Sequence, residues 1–213
     1  MQKTAPTIVV LISGRGSNLQ ALIDHASATG AYQISAVISN RPQAGGLALA
    51  AHAGIATQVL DHTLFDGREP FDSALAKLID QYKPEWVVLA GFMRILTEGF
   101  VRHFEGRLVN VHPSLLPAFP GLKTHQQALD AGVRVHGVTV HLVTAQLDHG
   151  PIVDQAIVPV LPGDTEDALA QRVLALEHVI YPRAVEALAS GQIRLVNDRL
   201  QGVLETPLVH ALP

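Results

Sequence analysis

The chain has 213 residues, 48% of them hydrophobic, and contains no cysteine. That length allows one large domain or two small ones, and a positive mean hydropathy implies a substantial buried core. A formal net charge of −4 gives no electrostatic reason to expect nucleic acid or an anionic membrane surface as partner, and without thiols there are no disulfides or thiolate metal sites.

Nothing in the sequence resembles a signal peptide: the apolar run Ile8–Ile12 is short and leads at once into glycines. No apolar run approaches the roughly 20 residues of a membrane span. A cytoplasmic protein is the expectation.

Thr7–Ile12 is a predicted buried strand, Ser13-Gly14-Arg15-Gly16-Ser17-Asn18 a loop, and Leu19-Gln20-Ala21-Leu22-Ile23 the opening of a helix. A glycine loop between strand and helix presents backbone N–H groups at a positive helix end, which favours a phosphate. A dinucleotide fingerprint wants glycine or alanine where Leu19 stands. It also wants an acid at the end of the second strand, where Ile34–Ile38 runs into Ser39-Asn40. A Walker loop needs a lysine that this loop lacks. The readings left open are a phosphate site and an ordinary tight turn with Ser17 as N-cap.

Gly45–Ala53 follows as an alanine-rich helix and Thr57–Leu60 as a third strand. After the polar loop Asp61–Gly67, Phe71, Leu75, Leu78 and Ile79 recur at helical spacing within Arg68–Tyr82. Trp86–Leu89 is a fourth strand, apolar throughout, as parallel strands covered on both faces are. The loop Gly91–Leu96 is apolar with one arginine. It is either the lip of a pocket for a flat ligand or a cover for the core, and residue types do not decide. Thr97–Phe104 is a short helix.

Leu108-Val109-Asn110-Val111 is a fifth strand, and Pro113 and Pro117 stop ladder and helix beyond it. Asn110 and His112, two apart, point to the same side of a strand. They stand at the mouth of the sheet, the usual ligand location in open α/β folds; the plainer reading is a strand end with two solvated polar residues. Up to here strands and helices alternate, which argues for a parallel sheet with right-handed crossovers. Beyond Pro117 the pattern changes.

Gln126–Ala131 is a short helix, while Val138–Val143 and Ile152–Val160 alternate apolar and polar. They read as later strands, some antiparallel, with Leu147-Asp148-His149-Gly150-Pro151 as their turn. Asp164-Thr165-Glu166-Asp167 opens a long amphipathic helix to about Ala189, which Pro182 should kink or divide. Ile193–Val196 and Val203–Leu204 are expected as a small edge hairpin. With no linker, repeat or low-complexity segment, residues 1–213 are expected to form a single domain. Its class is α/β: a Rossmann-like open, mostly parallel sheet with helices on both faces and antiparallel strands in the C-terminal part.

Asn110, His112 and Asp148 each lie at a predicted strand end or turn. A carboxylate beside an imidazole fixes its orientation and favours its charged form. A charged imidazole and a carboxamide N–H can then stabilise an oxyanion forming on a carbonyl. No nucleophile is apparent, since Ser114 sits in a proline-rich turn rather than a nucleophile elbow. Direct attack by a substrate amine held at close range is the chemistry this favours. The chain has 11 histidines, so any one of them is more often a core or surface residue than a catalyst. His112, His136 and His141 also suggest a metal site, but no helical i, i+4 histidine pair accompanies them, and no metal is expected.

Asn110-Val111-His112-Pro113-Ser114-Leu115-Leu116-Pro117, with Gly121 and Asp148 downstream, resembles the signature of the folate-dependent formyltransferase family. Gly14–Gln20, Ala90–Leu96 and Glu177-His178-Val179-Ile180-Tyr181-Pro182 look like the branch that acts on glycinamide ribonucleotide. The resemblance runs from Ile8 to about Leu195. It implies transfer of a formyl group from 10-formyltetrahydrofolate to the amine of glycinamide ribonucleotide, in purine synthesis and without a metal. By matching positions it implies Asn110, His112 and Asp148 as the catalytic set. Gly16, Ser17 and Asn18 would hold the phosphate and Glu177 the ribose. Arg68, Met93, Arg94, Ile95, Leu96 and the Thr144–Asp148 loop, including Leu147, would surround the folate. Residues 1–105 would form the phosphate-binding half and 106–213 the folate and catalytic half.

There are departures. Leu174 stands where some relatives carry a polar or basic residue that assists the phosphate; Arg15 is a candidate to supply compensating charge. His149 follows Asp148 where many relatives have a smaller residue. Small-molecule substrates are the expected partners, and the oligomeric state, monomer or homodimer, stays open. Two rivals remain: a formyltetrahydrofolate hydrolase, which usually carries a further N-terminal domain, and a non-catalytic nucleotide-binding module. A transformylase for methionyl-tRNA would need an RNA-binding domain and a more basic surface.

Overall fold

Runs of β-branched and aliphatic residues become strands β1 (Thr7–Ile12), β2 (Gln33–Ser39), β3 (Thr57–Val59), β4 (Trp86–Leu89), β5 (Leu108–His112), β6 (Val135–Leu142) and β7 (Ile152–Pro159). The computed structural model describes residues 5–197, 199–202 and 204. In it the seven strands lie in one sheet, in the order β3-β2-β1-β4-β5-β6-β7. β3, β2, β1, β4 and β5 pair in parallel, and β6 and β7 add antiparallel at one end. The change of pattern read beyond Pro117 is this switch of strand direction.

Helices α1 (Ser17–Thr29), α2 (Gly46–His52), α3 (Arg68–Asp80), α4 (Glu98–His103), α5 (Thr124–Asp130) and α6 (Glu166–Ser190) complete the fold. The period-two alternation of β1 shows how they divide. Ile8, Val10 and Ile12 pack with Leu19 and Leu22 of α1 and with Val173, Ile180 and Tyr181 of α6. Val9 and Leu11 face the other way, onto Phe71, Leu75 and Ile79 of α3, Phe100 of α4 and Phe104 just past its end. Both faces of the sheet are therefore covered, the condition under which a parallel sheet reads as continuous apolar runs. Tyr181 is fully buried, and its hydroxyl donates to the Leu89 carbonyl at 2.8 Å and the Val109 carbonyl at 3.3 Å. It ties α6 to two central strands, at the last residue of β4 and the second of β5.

Several boundaries differ from expectation. α1 begins at Ser17 rather than Leu19, and its N-cap is Gly16 at φ 85°, not Ser17. The cause is steric: a Cβ on Gly16 would lie 2.7 Å from the Gly46 Cα, so chain reversal and close approach both require glycine. The Asp61–Gly67 loop contains a 3-10 turn, His62–Leu64, whose Thr63 N–H donates to the Asp61 carboxylate. α5 starts at Thr124, whose hydroxyl donates to the Pro113 carbonyl. β6 starts three residues early because its pairing with β7 extends to Val135.

Pro182 does not divide α6, which is continuous from Glu166 to Ser190. Buried Ile180, Tyr181, Ala184 and Val185 flank it on both sides, and their packing outweighs the roughly 3 kcal/mol that an interior proline costs. The edge hairpin forms from β8 (Arg194–Val196) and β9 (Arg199–Gln201). Its second strand thus precedes the expected Val203–Leu204; Leu204 is not in a strand, and Val203 lies outside the described residues. Among the described residues, no helix is long and apolar enough to cross a membrane.

Candidate active site

The antiparallel pairing of β5 with β6 sets Asn110 opposite His141 and His112 opposite Thr139. Directly paired residues share a face of the sheet, so all four side chains lie on one side. The buried His141 ring faces the Leu142 carbonyl through Nδ1 at 3.0 Å, which requires the proton there. Burial also holds His141 below the usual imidazole range, leaving its Nε2 as a neutral acceptor. Asn110 Nδ2 donates to that Nε2 at 3.4 Å. The second Asn110 N–H and its Oδ1 remain for a ligand.

His112 is held at both ring nitrogens. Nε2 donates to the Phe119 carbonyl at 3.0 Å, and Nδ1 lies 3.6 Å from the Asp148 carboxylate. The two side chains are 7% and 8% exposed, so water screens the pair little. An acceptor beside each nitrogen fixes the orientation of the ring. Asp148 reaches this position because its loop folds back onto β6. A Cβ on Gly150 would stand 1.6 Å from the Leu142 carbonyl oxygen, so that fold requires glycine. Asp148 itself sits at φ 50°, and the Gly121 N–H donates to its Oδ2 at 2.9 Å.

The glycine loop forms a second centre. With Gly16 as cap, the first N–H groups of α1 lack intrahelical partners and point out of the helix. The Asn18 carboxamide donates to Glu177 Oε2 at 2.7 Å, joining residues 159 apart in sequence. Burial pushes the Glu177 carboxyl up, against the opposing effect of that hydrogen bond. Asn18 Oδ1 is buried without a protein partner among the described residues.

The loop after β4 spans the junction where strand order reverses. Ser13 Oγ donates to Asn40 Oδ1 at 2.6 Å and accepts from the Met93 N–H at 2.8 Å. Met93, Ile95 and Leu147 are 63%, 59% and 56% exposed. Leu96 packs against the α3–α4 side of the core. The Arg94 guanidinium lies over the Phe71 ring, 4.7 Å from its centroid. Thr144 donates within its own loop, to the Gln146 carbonyl. Arg68 stands exposed in the first turn of α3.

The structure thus brings Asn110, His112 and Asp148 together, and Gly16, Ser17 and Asn18 together with Glu177. Among the described residues, no side-chain hydrogen bond or ion pair joins Arg68 or Thr144 to either group. Sequence reading weighed His141 only as a metal ligand and missed Thr139. Alternation within Val138–Val143 puts them on one face, but only the register of β6 against β5 shows that this face carries Asn110 and His112. Among the described residues, no group of three or more histidines or acidic side chains is disposed to hold a metal ion.

A model of the formyl transferase family matches residues 7–185. The chain is 53% identical over 190 residues to phosphoribosylglycinamide formyltransferase of Escherichia coli, covering 88% of this chain and 89% of that protein. It is 47% identical over 195 residues to the human trifunctional purine biosynthetic protein adenosine-3, covering 91% of this chain but only 19% of that one. Among solved structures it resembles phosphoribosylglycinamide formyltransferase of Coxiella burnetii, with a TM-score of 0.88, 49% identity and 92% of each chain covered. Glycinamide ribonucleotide transformylase 1 of Symbiobacterium toebii gives 0.90 and 45%, covering 95% of this chain and 96% of that one. With the family model spanning most of its length and the fold and glycine loop in agreement, the chain belongs to the formyl transferase family.

Proposed function

We infer that the chain transfers a formyl group from 10-formyltetrahydrofolate to the amine of glycinamide ribonucleotide, a step of de novo purine biosynthesis. The observation that carries this reading is the pairing of two centres in one sheet. One is a helix N-terminus bonded to a buried carboxylate; the other is a carboxamide, an imidazole and a carboxylate.

The amine nitrogen attacks the formyl carbon directly, and the carbonyl oxygen becomes an oxyanion. The free Asn110 N–H and the His112 ring stabilise that charge, with the Asp148 carboxylate beside the ring orienting it. For the His112 Nε2–H to reach the oxyanion, it exchanges the Phe119 carbonyl for it; catalytic hydrogen bonds often tighten only in the reacting complex. The bond from carbon to the folate N10 then breaks, and N10 takes up the proton that the amine loses. Gly16, Ser17 and Asn18 hold the phosphate, and Glu177 the ribose. Met93, Ile95, Leu96 and Leu147 cover the folate, with Arg94 bracing their loop on Phe71 and with Arg68 and Thr144 at the rim. Residues 1–105 and 106–213 divide phosphate binding from catalysis within a single domain.

The reading includes no metal, small-molecule partners only, a cytoplasmic location and a monomer or homodimer. Tetrahydrofolate release with and without glycinamide ribonucleotide tests it. Release should depend on the ribonucleotide and be indifferent to a chelator. Equal release without it would identify a hydrolase instead, and no release under either condition a nucleotide-binding module.

A further inference from the structure

We propose that Thr139 and Gln155 are positioning residues for the formyl transfer, acting through the turn that holds His112; this rests on the function inferred above. The two face each other across β6 and β7, and Thr139 faces His112 across β5 and β6. The three side chains therefore form one row over the same face of the sheet.

Thr139 is fully buried. Its hydroxyl donates to the Ser114 carbonyl at 2.7 Å and accepts from the Leu116 N–H at 3.0 Å. It also accepts from Gln155 Nε2 at 2.9 Å. One donor and two acceptor sites are all a hydroxyl has, and all three are used. Gln155 spends its second Nε2 proton on the Leu116 carbonyl at 3.0 Å. Both polar atoms of Leu116 and the carbonyl of Ser114 are thus held from the neighbouring strands. Within the turn, Ser114 Oγ donates to the Ala118 carbonyl at 2.7 Å.

The next residue is Phe119, whose carbonyl accepts from His112 Nε2. Strand β5 fixes the backbone of His112, so the far anchor of its ring is as well placed as residues 114–118 are. The hydrogen bond of Ser114 closes the turn on itself but does not hold it against the sheet. The hydroxyl and carboxamide on β6 and β7 do so, and neither needs to touch substrate.

The test compares Thr139→Val, which keeps shape but removes the hydroxyl, with Thr139→Ser, which keeps it. Gln155→Met serves as a second variant should Thr139→Val not fold. Two readouts apply: steady-state kinetics, and the His112 ring resonances in nitrogen–proton correlation spectra, assigned by their loss in His112→Asn. Small displacements of a reacting group cost on the order of a hundredfold. Thr139→Val and Gln155→Met should lower kcat about tenfold to a hundredfold, with both KM values within about twofold, the pattern of a contribution realised in the transition state. They should also shift the His112 resonances, and Thr139→Ser should restore both readouts. The resonances report whether or not formyl transfer is the reaction, so a wild type inactive with glycinamide ribonucleotide would overturn the functional reading alone. Variants that only melt lower, with wild-type His112 resonances and kcat, overturn the proposal; so does Thr139→Ser behaving like Thr139→Val.

Discussion

The two centres of this molecule are built from different materials. The glycine-loop end works mostly through backbone: Gly16 turns the chain at φ 85° and leaves the N–H groups of α1 pointing outward. The β5–β6 end works through side chains, each placed by strand register: Asn110 against His141, His112 against Thr139, and Asp148 returned by a loop. A backbone site tolerates most side-chain changes but few changes of conformation. A side-chain site tolerates neither the loss of its groups nor their displacement.

The largest predicted effect breaks the side-chain end. His112→Ala and Asn110→Ala should each lower kcat by about a hundredfold to a thousandfold, the usual cost of losing one oxyanion donor. The double variant should lose less than the product if the two act as a unit. Asp148→Asn keeps the shape of the turn but removes the anion, and should lower kcat more than it changes either KM. If this variant melts normally and keeps wild-type kcat at every pH, Asp148 has no part in the mechanism.

The backbone end should break differently. Gly16→Ala places a Cβ against Gly46 and strains a left-handed residue, which costs about 1–3 kcal/mol. Thermal melting should drop accordingly, and the ribonucleotide KM should rise with little change in the folate KM. A wild-type melting temperature would show that α2 gives way at no cost.

Acid should weaken the side-chain end. His136 is buried beside His125, with Nε2 and Nδ1 3.2 Å apart. Burial first, and the neighbouring His125 second, lower its pKa from 6.5 to about 4. Above pH 6.5 it is neutral folded or unfolded and has no effect on stability. Between about 6.5 and 4 the unfolded chain binds the proton and the folded one does not, so stability falls as pH falls. The loss from this residue between pH 7 and 5 is about 2 kcal/mol. Denaturant unfolding at both values should show a shallower pH dependence for His136→Gln; identical slopes would refute the assignment.

The smallest effect sharpens the comparison. Arg15 is exposed in the glycine loop, and Leu174 brings no charge to the phosphate. A charged hydrogen bond contributes about 1.5–3 kcal/mol, and solvent exposure puts Arg15 at the low end. Arg15→Ala should raise the ribonucleotide KM severalfold and leave the folate KM alone. An unchanged value would make this end wholly a backbone site.

What could be read from sequence follows the same division. The glycine loop, the apolar strands and the turn around Asp148 are local patterns, visible in neighbouring residues. So is the change of topology after Pro117. The N-cap was misplaced onto Ser17 because the reason for Gly16 lies 30 residues away, in Gly46. Thr139, and the place of His141 beside Asn110, were missed because a strand's face is visible in its alternation but its partner's register is not. The Arg94 side chain lies on Phe71, a contact between a loop and a helix that neither segment announces. Pro182 was given too much weight because a local penalty is legible while the packing that outweighs it is not.

The Tyr181 hydroxyl, bonded to Leu89 of β4 and Val109 of β5, has a consequence for acceptor choice. Glu177 precedes it by one helical turn on the same helix, and Asn110 follows Val109, one of its two acceptors. In the proposed reaction, sugar contact and reacting carboxamide would thus be set off from a single rivet. An acceptor with one more methylene between ribose and amine should then seat its sugar normally and carry its nitrogen past the formyl carbon.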